Sequence, residues 1–249
     1  MTAGAEAPPR IVRRGTVAST QAVAFELAAG GAADGTVVVA ESQAAGRGRH
    51  QRRWHDEPGA SLLCSILLRP RLAPARWPLL SLVAGVAVAH ALHRAAGVTA
   101  RLKWPNDVMV DGGKLAGILV ESRSAAAPVV VIGIGINVGQ ARFPADLQGR
   151  ATSLRLVTGR PVDRDRLLGI LVEEFAAWRA RLEDQGFAPV REAWKALSAT
   201  LGREVQGDGV RGRAVDLDAD GALVIDDGRR RHRLLAGELI EVEAGAARG

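Results

Sequence analysis

Lysine is scarce in this 249-residue chain, standing only at Lys103, Lys114 and Lys195, whereas arginine is used almost everywhere a positive charge is needed. Two of the three lysines lie in the stretch VTARLKWPNDVMVDGGKLAGILVES. Lys114 follows a Gly-Gly pair and opens the run KLAGILVE. An ammonium at the mouth of a strand can neutralise a phosphate or carboxylate ligand, or it can stand idle in solvent. Taken alone, the idle reading is preferred. Three features favour chemistry: the rarity of lysine, the Asn106–Asp107 turn upstream, and Gly117, which lets a ligand approach the sheet.

A second concentration of charge is GRGRHQRRW, residues 46–54, with four arginines and a histidine between two glycines and Trp54. Such a loop suits phosphate, carried by a nucleic acid or a nucleotide, and a solvated loop is the plain alternative. The familiar phosphate motifs are absent. A P-loop ending at Gly113-Lys114 needs glycine where Val108 stands, and GIGINV places Val138 where a dinucleotide fingerprint needs its third glycine. Glycines 133 and 135 then read as close backbone approach in a central strand. Asn137 at its end carries an amide able to pair with a planar edge such as adenine.

These residues need a scaffold, and the pattern supplies an α/β one. RIVRRGTVAST reads as a strand, with Ser19 or Thr20 capping a helix to Gly30–Gly31. Buried strands follow at 35–41 and 60–69, then an apolar helix of about five turns from Pro78 to Ala96. The lysine segment reads as a strand, a turn at 105–107, a hairpin through Asp111-Gly112-Gly113 and a strand from Lys114 to Ser122. Simple alternation puts Lys114, Ala116, Ile118 and Val120 on one face of that strand, and Leu115, Gly117, Leu119 and Glu121 on the other. Residues 128–138 form a central strand, and Asp163 caps a long helix whose apolar face runs from Leu167 to Leu182. Trp178 and Trp194 read as packing residues.

Beyond residue 200 short β-rich runs alternate with Gly and Asp turns, including a hairpin signal at Asp227–Gly228. This predicts a small barrel of about five strands. Its Arg229–Arg233 run reads as a solvated strand edge that resists aggregation. Composition narrows the rest. The single cysteine, Cys64, excludes an intramolecular disulfide and fits a cytoplasmic protein. The first residues lack the apolar core of a secretion signal, and the apolar run Leu79–Ala89 is too short to span a bilayer. The net charge of +6 is weak support for nucleic acid in a chain that uses arginine by habit.

Together the motifs resemble those of biotin–protein ligases. The matching elements are Ser19-Thr20, Gln43 with GRGRHQRRW, KWPNDV at 103–108, GGKLAGILVE at 112–121 and GIGINV at 133–138. The resemblance implies an α/β fold: a catalytic domain over 11–200 like that of class II aminoacyl-tRNA synthetases, a mixed sheet flanked by helices. An SH3-like β-barrel would follow over 201–249, with a disordered stretch at 1–10. It also implies a two-step reaction. Biotin and ATP give biotinoyl-AMP and pyrophosphate, and the biotinoyl group then passes to a lysine of a biotin carboxyl carrier domain of a carboxylase.

By the same resemblance Ser19, Thr20, Gln21, Gln43, Gly46, Arg47, Gly48, Lys114 and Gly117 line the biotin site. Arg49, Arg52, Trp54, Lys103, Asn106, Asp107, Lys114 and Asn137 lie on the ATP side. Lys114 and Arg49 are the leading catalytic candidates, Lys114 bridging the biotin carboxylate and the α-phosphate. Trp54 would cover the adenylate when the loop closes. Mg²⁺ would enter with the ATP phosphates, with Asp107 as a candidate contact, and no prosthetic group is implied. A carboxylate ionised at neutral pH needs no general base, so the catalytic problem is an anion approaching a polyanion, which held cations solve.

Two positions depart from the family pattern: Gln21 stands where asparagine is usual, and Gln51 replaces a further glycine of the loop. About ten residues precede the first strand, which implies a form without an N-terminal DNA-binding domain and no specific DNA binding. The rival readings are a lipoate or octanoate ligase of related fold and, more distantly, an arginine-rich RNA-binding protein. The pattern leaves monomer and homodimer open.

Overall fold

The computed structural model describes residues 10–123 and 128–242, with the side chain of Gln51 set aside. The stretch expected to be disordered at the N-terminus lies, apart from Arg10, outside the described residues. A seven-stranded mixed sheet organises the first part of the chain, with strand order β1-β2-β3-β7-β6-β5-β4. The strands are β1 (Ile11–Val17), β2 (Val37–Gln43), β3 (Ser61–Leu68), β4 (Arg101–Lys103), β5 (Asp107–Val110), β6 (Gly113–Arg123) and β7 (Val129–Asn137). Only β1 and β2 pair in parallel, joined by helix α1 (Thr20–Ala29); the other neighbours are antiparallel.

The central strands are apolar on both faces because both are covered. On one face α1 packs Ala24, Phe25 and Ala28 against Val38, Leu67, Val129 and Val131. On the other, α2 (Leu79–Ala96), α4 (Arg164–Gln185) and α5 (Ala188–Leu197) build the main core. The helical stretch Pro74–Ala96, which includes α2, is apolar and long enough to cross a membrane by length and composition, but most of it is buried inside the fold. It ends at Gly97, whose φ of 71° is the left-handed conformation that closes helices without a Cβ penalty. Asp163 caps α4 by accepting the backbone N–H groups of Asp165 and Arg166. A short helix, α3 (Leu154–Thr158), and α5 have no counterpart in the sequence reading.

The remaining strands form a five-stranded antiparallel sheet, ordered β11-β10-β9-β8-β12. They span β8 (Glu204–Gly207), β9 (Val210–Leu217), β10 (Leu223–Asp226), β11 (Arg231–Leu234) and β12 (Ile240–Glu241). The tight Asp-Gly turn in this sheet is at Asp208–Gly209, where both residues take positive φ, 47° and 76°, as a two-residue hairpin requires. The link through Asp227–Gly228 is a four-residue loop instead, tied by the Asp227 carboxylate accepting the N–H groups of Arg229 and Arg230. Of the arginine run, Arg231 and Arg233 fall on the edge strand β11, and Arg229 and Arg230 lie in the loop before it.

The two sheets share one core: Val205, Ala214, Leu217, Leu223 and Ile225 continue the cluster that holds α2 and α5. Polar ties fix the joint. The Trp104 backbone N–H donates to Thr200 Oγ1 at 2.9 Å, its indole N–H donates to the Gly221 carbonyl at 3.2 Å, and Asp216 pairs with Arg191 and Lys195 at 2.8 Å each.

Trp194 on α5 is the bulkiest fully buried side chain. Trp194→Ala should cost about 3–5 kcal/mol of stability, measured by urea unfolding. A loss below about 1 kcal/mol, the size of a surface change, would contradict its place in the core.

Candidate functional site

A cleft of about 680 Å³ opens on the α1 side of the large sheet. Its walls come from the arginine loop, the Lys103–Asp107 turn, β6, the 143–151 segment and residues 237–239 of the small sheet.

The floor is made by β6 and β7, paired so that Gly117 faces Gly135 and Leu119 faces Gly133. Simple alternation along β6 fails at one point. Against β5, Val108 pairs with Ala116 but Met109 pairs with Lys114, so Leu115 is an extra residue in a β-bulge. Past the bulge the phase of the strand shifts by one. Leu115, Ala116 and Ile118 all point into the main core, and Lys114 joins Gly117 on the open face. The lysine arm lies over Gly117 so closely that a Cβ there would stand 3.3 Å from Nζ. The expectation that Lys114 and Gly117 occupy opposite faces is therefore corrected.

The bulge also brings the charge partners together. Asp107 sits opposite Gly117 across the β5–β6 pair, and its Oδ1 lies 2.6 Å from Lys114 Nζ. Asn106, in the turn after the cis peptide at Trp104–Pro105, donates its amide to the Ile118 carbonyl at 2.9 Å. Its Oδ1 accepts from Arg49 at 3.4 Å. Arg49 donates also to the Gly237 carbonyl at 3.0 Å. Partial burial pulls this guanidinium below its ordinary pKa, while the charges of Asp107 and Glu238 act the other way. It stays cationic at any pH of interest.

Three further cations are paired. Arg52 bonds Glu238, Arg47 bonds Glu121 at 2.9 Å, and Lys103 pairs with Glu241 at 3.1 Å. Lys103 thus spans to the small sheet, although it also lines the cleft.

Trp54 lies lower than a lid should. Its indole rests on the glycine floor, where a Cβ at Gly135 would come within 2.6 Å of the ring and one at Gly117 within 2.9 Å. The indole Nε1 is buried without a partner, and Lys114 Nζ lies 5.9 Å from the ring centroid. The ring thus fills a hollow in the floor of the ligand-free cleft. The loop itself closes through Trp54 N–H to the Gly46 carbonyl at 2.9 Å and Gly48 N–H to the Arg52 carbonyl at 2.7 Å. His50 carries its left-handed residue, with φ 53°.

At the start of α1 a buried polar group is already assembled. Ser19 caps the helix by accepting the Gln21 N–H. Thr20 donates its backbone N–H to Gln43 Oε1 at 2.8 Å, and its hydroxyl contacts Gln43 Oε1 at 3.0 Å and Ser65 Oγ at 2.8 Å. These bonds orient the Gln43 amide so that its Nε2 faces Gly46, 3.2 Å from where a Cβ would sit. Gln21, buried, lies flat on Gly133 and donates to the Leu119 carbonyl at 3.1 Å.

Asn137 lines the cleft, but its amide is spent internally. Nδ2 donates to the Thr152 carbonyl at 3.0 Å and the Lys114 carbonyl at 3.4 Å, and Oδ1 accepts from Gln140. It anchors the strand end and the 139–153 loop, so the expected edge for a purine is not presented. Sequence reasoning missed Gly135 as floor, although its alternation with Gly133 was visible. It also missed Ser65, Phe143 and Gly237–Leu239, which carry no local signal. Among the described residues no group of three His, Cys, Asp or Glu could hold a metal ion.

Comparison with known proteins gives the family of the chain. The model of the biotin/lipoate A/B protein ligase family matches residues 15–137. The chain is 41% identical over 194 residues to a biotin–[acetyl-CoA-carboxylase] ligase of Paracoccus denitrificans, covering 75% of this chain and 80% of that one. It is 38% identical over 238 residues to the ligase of the same name from Mycobacterium tuberculosis, covering 90% and 86%. Among solved structures it resembles the biotin protein ligase of Aquifex aeolicus in complex with biotin and ATP. That likeness has a TM-score of 0.82 at 30% identity and spans 93% of this chain and 97% of the other.

The contact between indole and floor makes a direct prediction. A methyl group at Gly135 cannot coexist with the ring where it lies, so Gly135→Ala should expel Trp54 from the hollow. Tryptophan emission should shift to the red in Gly135→Ala and stay unshifted in the same substitution made on Trp54→Phe. An unshifted spectrum in the first case would mean that the ring does not occupy the floor.

Proposed function

The chain belongs to the biotin–protein ligase family, and from that premise we propose that the cleft above β6 and β7 is its catalytic site. The enzyme uses ATP to join biotin to a lysine of a biotin carboxyl carrier domain. In the first step a biotin carboxylate oxygen attacks the α-phosphorus, forming the mixed anhydride biotinoyl-AMP and releasing pyrophosphate. In the second the carrier amine attacks the anhydride carbonyl, giving an amide and releasing AMP.

The observation that carries the reading is the re-aimed lysine. The bulge at Leu115 sets Lys114 over the glycine floor, beside Arg49 and within the cleft that Arg52 and Lys103 also border. In this reading the hollow now filled by Trp54 takes the rings of biotin. The polar group of Ser19, Thr20 and Gln43, with Arg47 and Gly46, receives the ureido end, and Gln21 bounds the floor at Gly133. Lys114 meets the carboxylate and α-phosphate together, leaving Asp107 free to orient the incoming carrier amine. Arg49 and Arg52 exchange their protein partners for phosphate oxygens, with Asn106 beside them. These cations act by being held in place before charge develops, which is the main source of stabilisation at such sites.

Mg²⁺ enters as the ATP complex, with the phosphates supplying most of its ligands. Asp107 is the carboxylate nearest the reacting end, and its contact with Lys114 must loosen if it is to help. Trp54, displaced from the floor, rises to cover the adenylate and keep water from the anhydride. At the level of fold, the large sheet with its helices corresponds to the catalytic domain of class II aminoacyl-tRNA synthetases. The five-stranded sheet corresponds to an SH3-like barrel, with the division near residue 200. The cytoplasm is the setting this substrate and nucleotide imply.

Biotin-dependent exchange between ATP and pyrophosphate tests the reading. Exchange should be supported by biotin and not by lipoate or octanoate; the reverse result would move the chain to the lipoate branch of its family. Lys114→Ala should lower exchange by about 10²–10³-fold while leaving the fold intact. Arg49→Gly should release the adenylate early, read as biotin on unrelated lysines of a bystander protein. Undiminished exchange in Lys114→Ala would remove that residue from the mechanism.

A further inference from the structure

The arginine loop is shut from outside its own part of the fold. Its tip makes two contacts with one short segment of the small sheet: Arg49 with the Gly237 carbonyl and Arg52 with the Glu238 carboxylate. That segment is itself firmly seated. The Glu238 carbonyl passes over Gly207 so closely that a Cβ there would stand 3.0 Å away, and Gly237 rests against the Asp208 carboxylate. Glu238 therefore presents its charge from a fixed mount to a loop otherwise tied by Arg47 to Glu121, Arg49 to Asn106 and the seated indole of Trp54. The bond from Arg52, and the charges of Arg52, His50 and Arg49, hold its carboxyl below the ordinary range.

The contents of the cleft show why this matters. With the loop shut, Trp54 fills the floor hollow, so a ligand for that hollow cannot enter until the loop lifts. Whatever holds the loop down sets how often it lifts.

We propose that Glu238 is a positioning residue for the ligase reaction: acting through Arg52, it holds the arginine loop down over the cleft. It thereby governs the opening that admits substrate. The identity of the substrates rests on the biotin-ligase reading; the hold on the loop does not. Glu238 touches no reacting atom.

The test is amide hydrogen exchange across residues 46–54 in the ligand-free, full-length protein. The pair is half-exposed, so its contribution is modest. Glu238→Gln should speed exchange of these amides about two- to five-fold at low salt, leaving the central strands unchanged. Raising the ionic strength to about 1 M should bring the wild-type loop to the same rate and hardly affect the variant. Glu238→Asp should recover part of the protection. Arg52→Gln added to Glu238→Gln should cause no further loss. The on-rate of biotin should rise by a similar factor in Glu238→Gln, with maximal exchange activity unchanged.

Equal protection in wild type and Glu238→Gln would overturn the proposal, as would the same loss from Glu173→Gln, an exposed control far from the loop. If biotin supports no exchange in the wild type, the catalytic reading falls, while hydrogen exchange still decides whether Glu238 holds the loop.

Discussion

One extra residue in β6 determines which groups face the cleft. A regular strand opposite β5 would send Lys114 into the helical core, where an unpaired ammonium costs several kcal/mol and shifts toward its neutral form. By admitting Leu115 as a bulge, the strand keeps three successive apolar contacts for the core and turns its lysine outward. The same shift leaves Gly117 beside the lysine and opposite Gly135, producing a floor with no side chains. Asp107 then meets Nζ because it shares a rung with Gly117. Bulges cost little where they sit between two stable pairings, and this one is flanked by the β5 hairpin and the long β6–β7 ladder.

Gathering Lys114, Arg47, Arg49 and Arg52 around one cleft would, without compensation, destabilise the empty protein by mutual repulsion. The structure answers with partners: Asp107, Glu121 and Glu238 each take one cation, and the Gly237 carbonyl takes Arg49. These pairs are partly exposed, so each contributes on the order of 1 kcal/mol or less. A weak partner suits such a site. Phosphate oxygens bring more charge and more acceptors than a carboxylate does, so exchange toward substrate is favourable. A deeply buried pair would hold its cation too strongly to allow it.

Much of this was legible in the chain itself, and the exceptions share a cause. The sheet strands, the apolar helix, the capped long helix and the clustering of Lys114, the Asn106–Asp107 turn and the arginine loop follow from periodicity, capping and turn chemistry, which are local. The bulge was not legible, because apolar residues at 115, 116 and 118 fit a plain buried strand as well as a bulged one. Asn137 looked like a ligand group because its polarity was visible and its partners, Thr152 and Gln140, lie in a loop that folds back from beyond it. Asp227–Gly228 and Asp208–Gly209 have the same dipeptide, yet only the second closes a two-residue hairpin. The difference is set by where the flanking strands stop pairing. Gly237 and Glu238 had no signal at all, since their role exists only once two sheets are docked.

That docking gives the small sheet its bearing on the site. Residues 237–238 can hold the arginine loop only if the second sheet keeps a fixed place relative to the first, and the joint is built for rigidity. Leu79 and Leu82 of α2 press on Gly221, where a Cβ would come within 2.7 Å of one of them, and Trp104 ties the same turn to the strand that precedes Asp107. The indole of Trp104 is thus bonded to the small sheet while its backbone leads, three residues on, to the carboxylate that faces Lys114. A displacement of the small sheet by an ångström would be felt at both ends of the cleft: at the loop through Glu238, and at the lysine through the Trp104–Asp107 turn. The second sheet therefore acts on the site as a wall and an anchor, through its position, while Lys114, Arg49 and the glycine floor are supplied by the first.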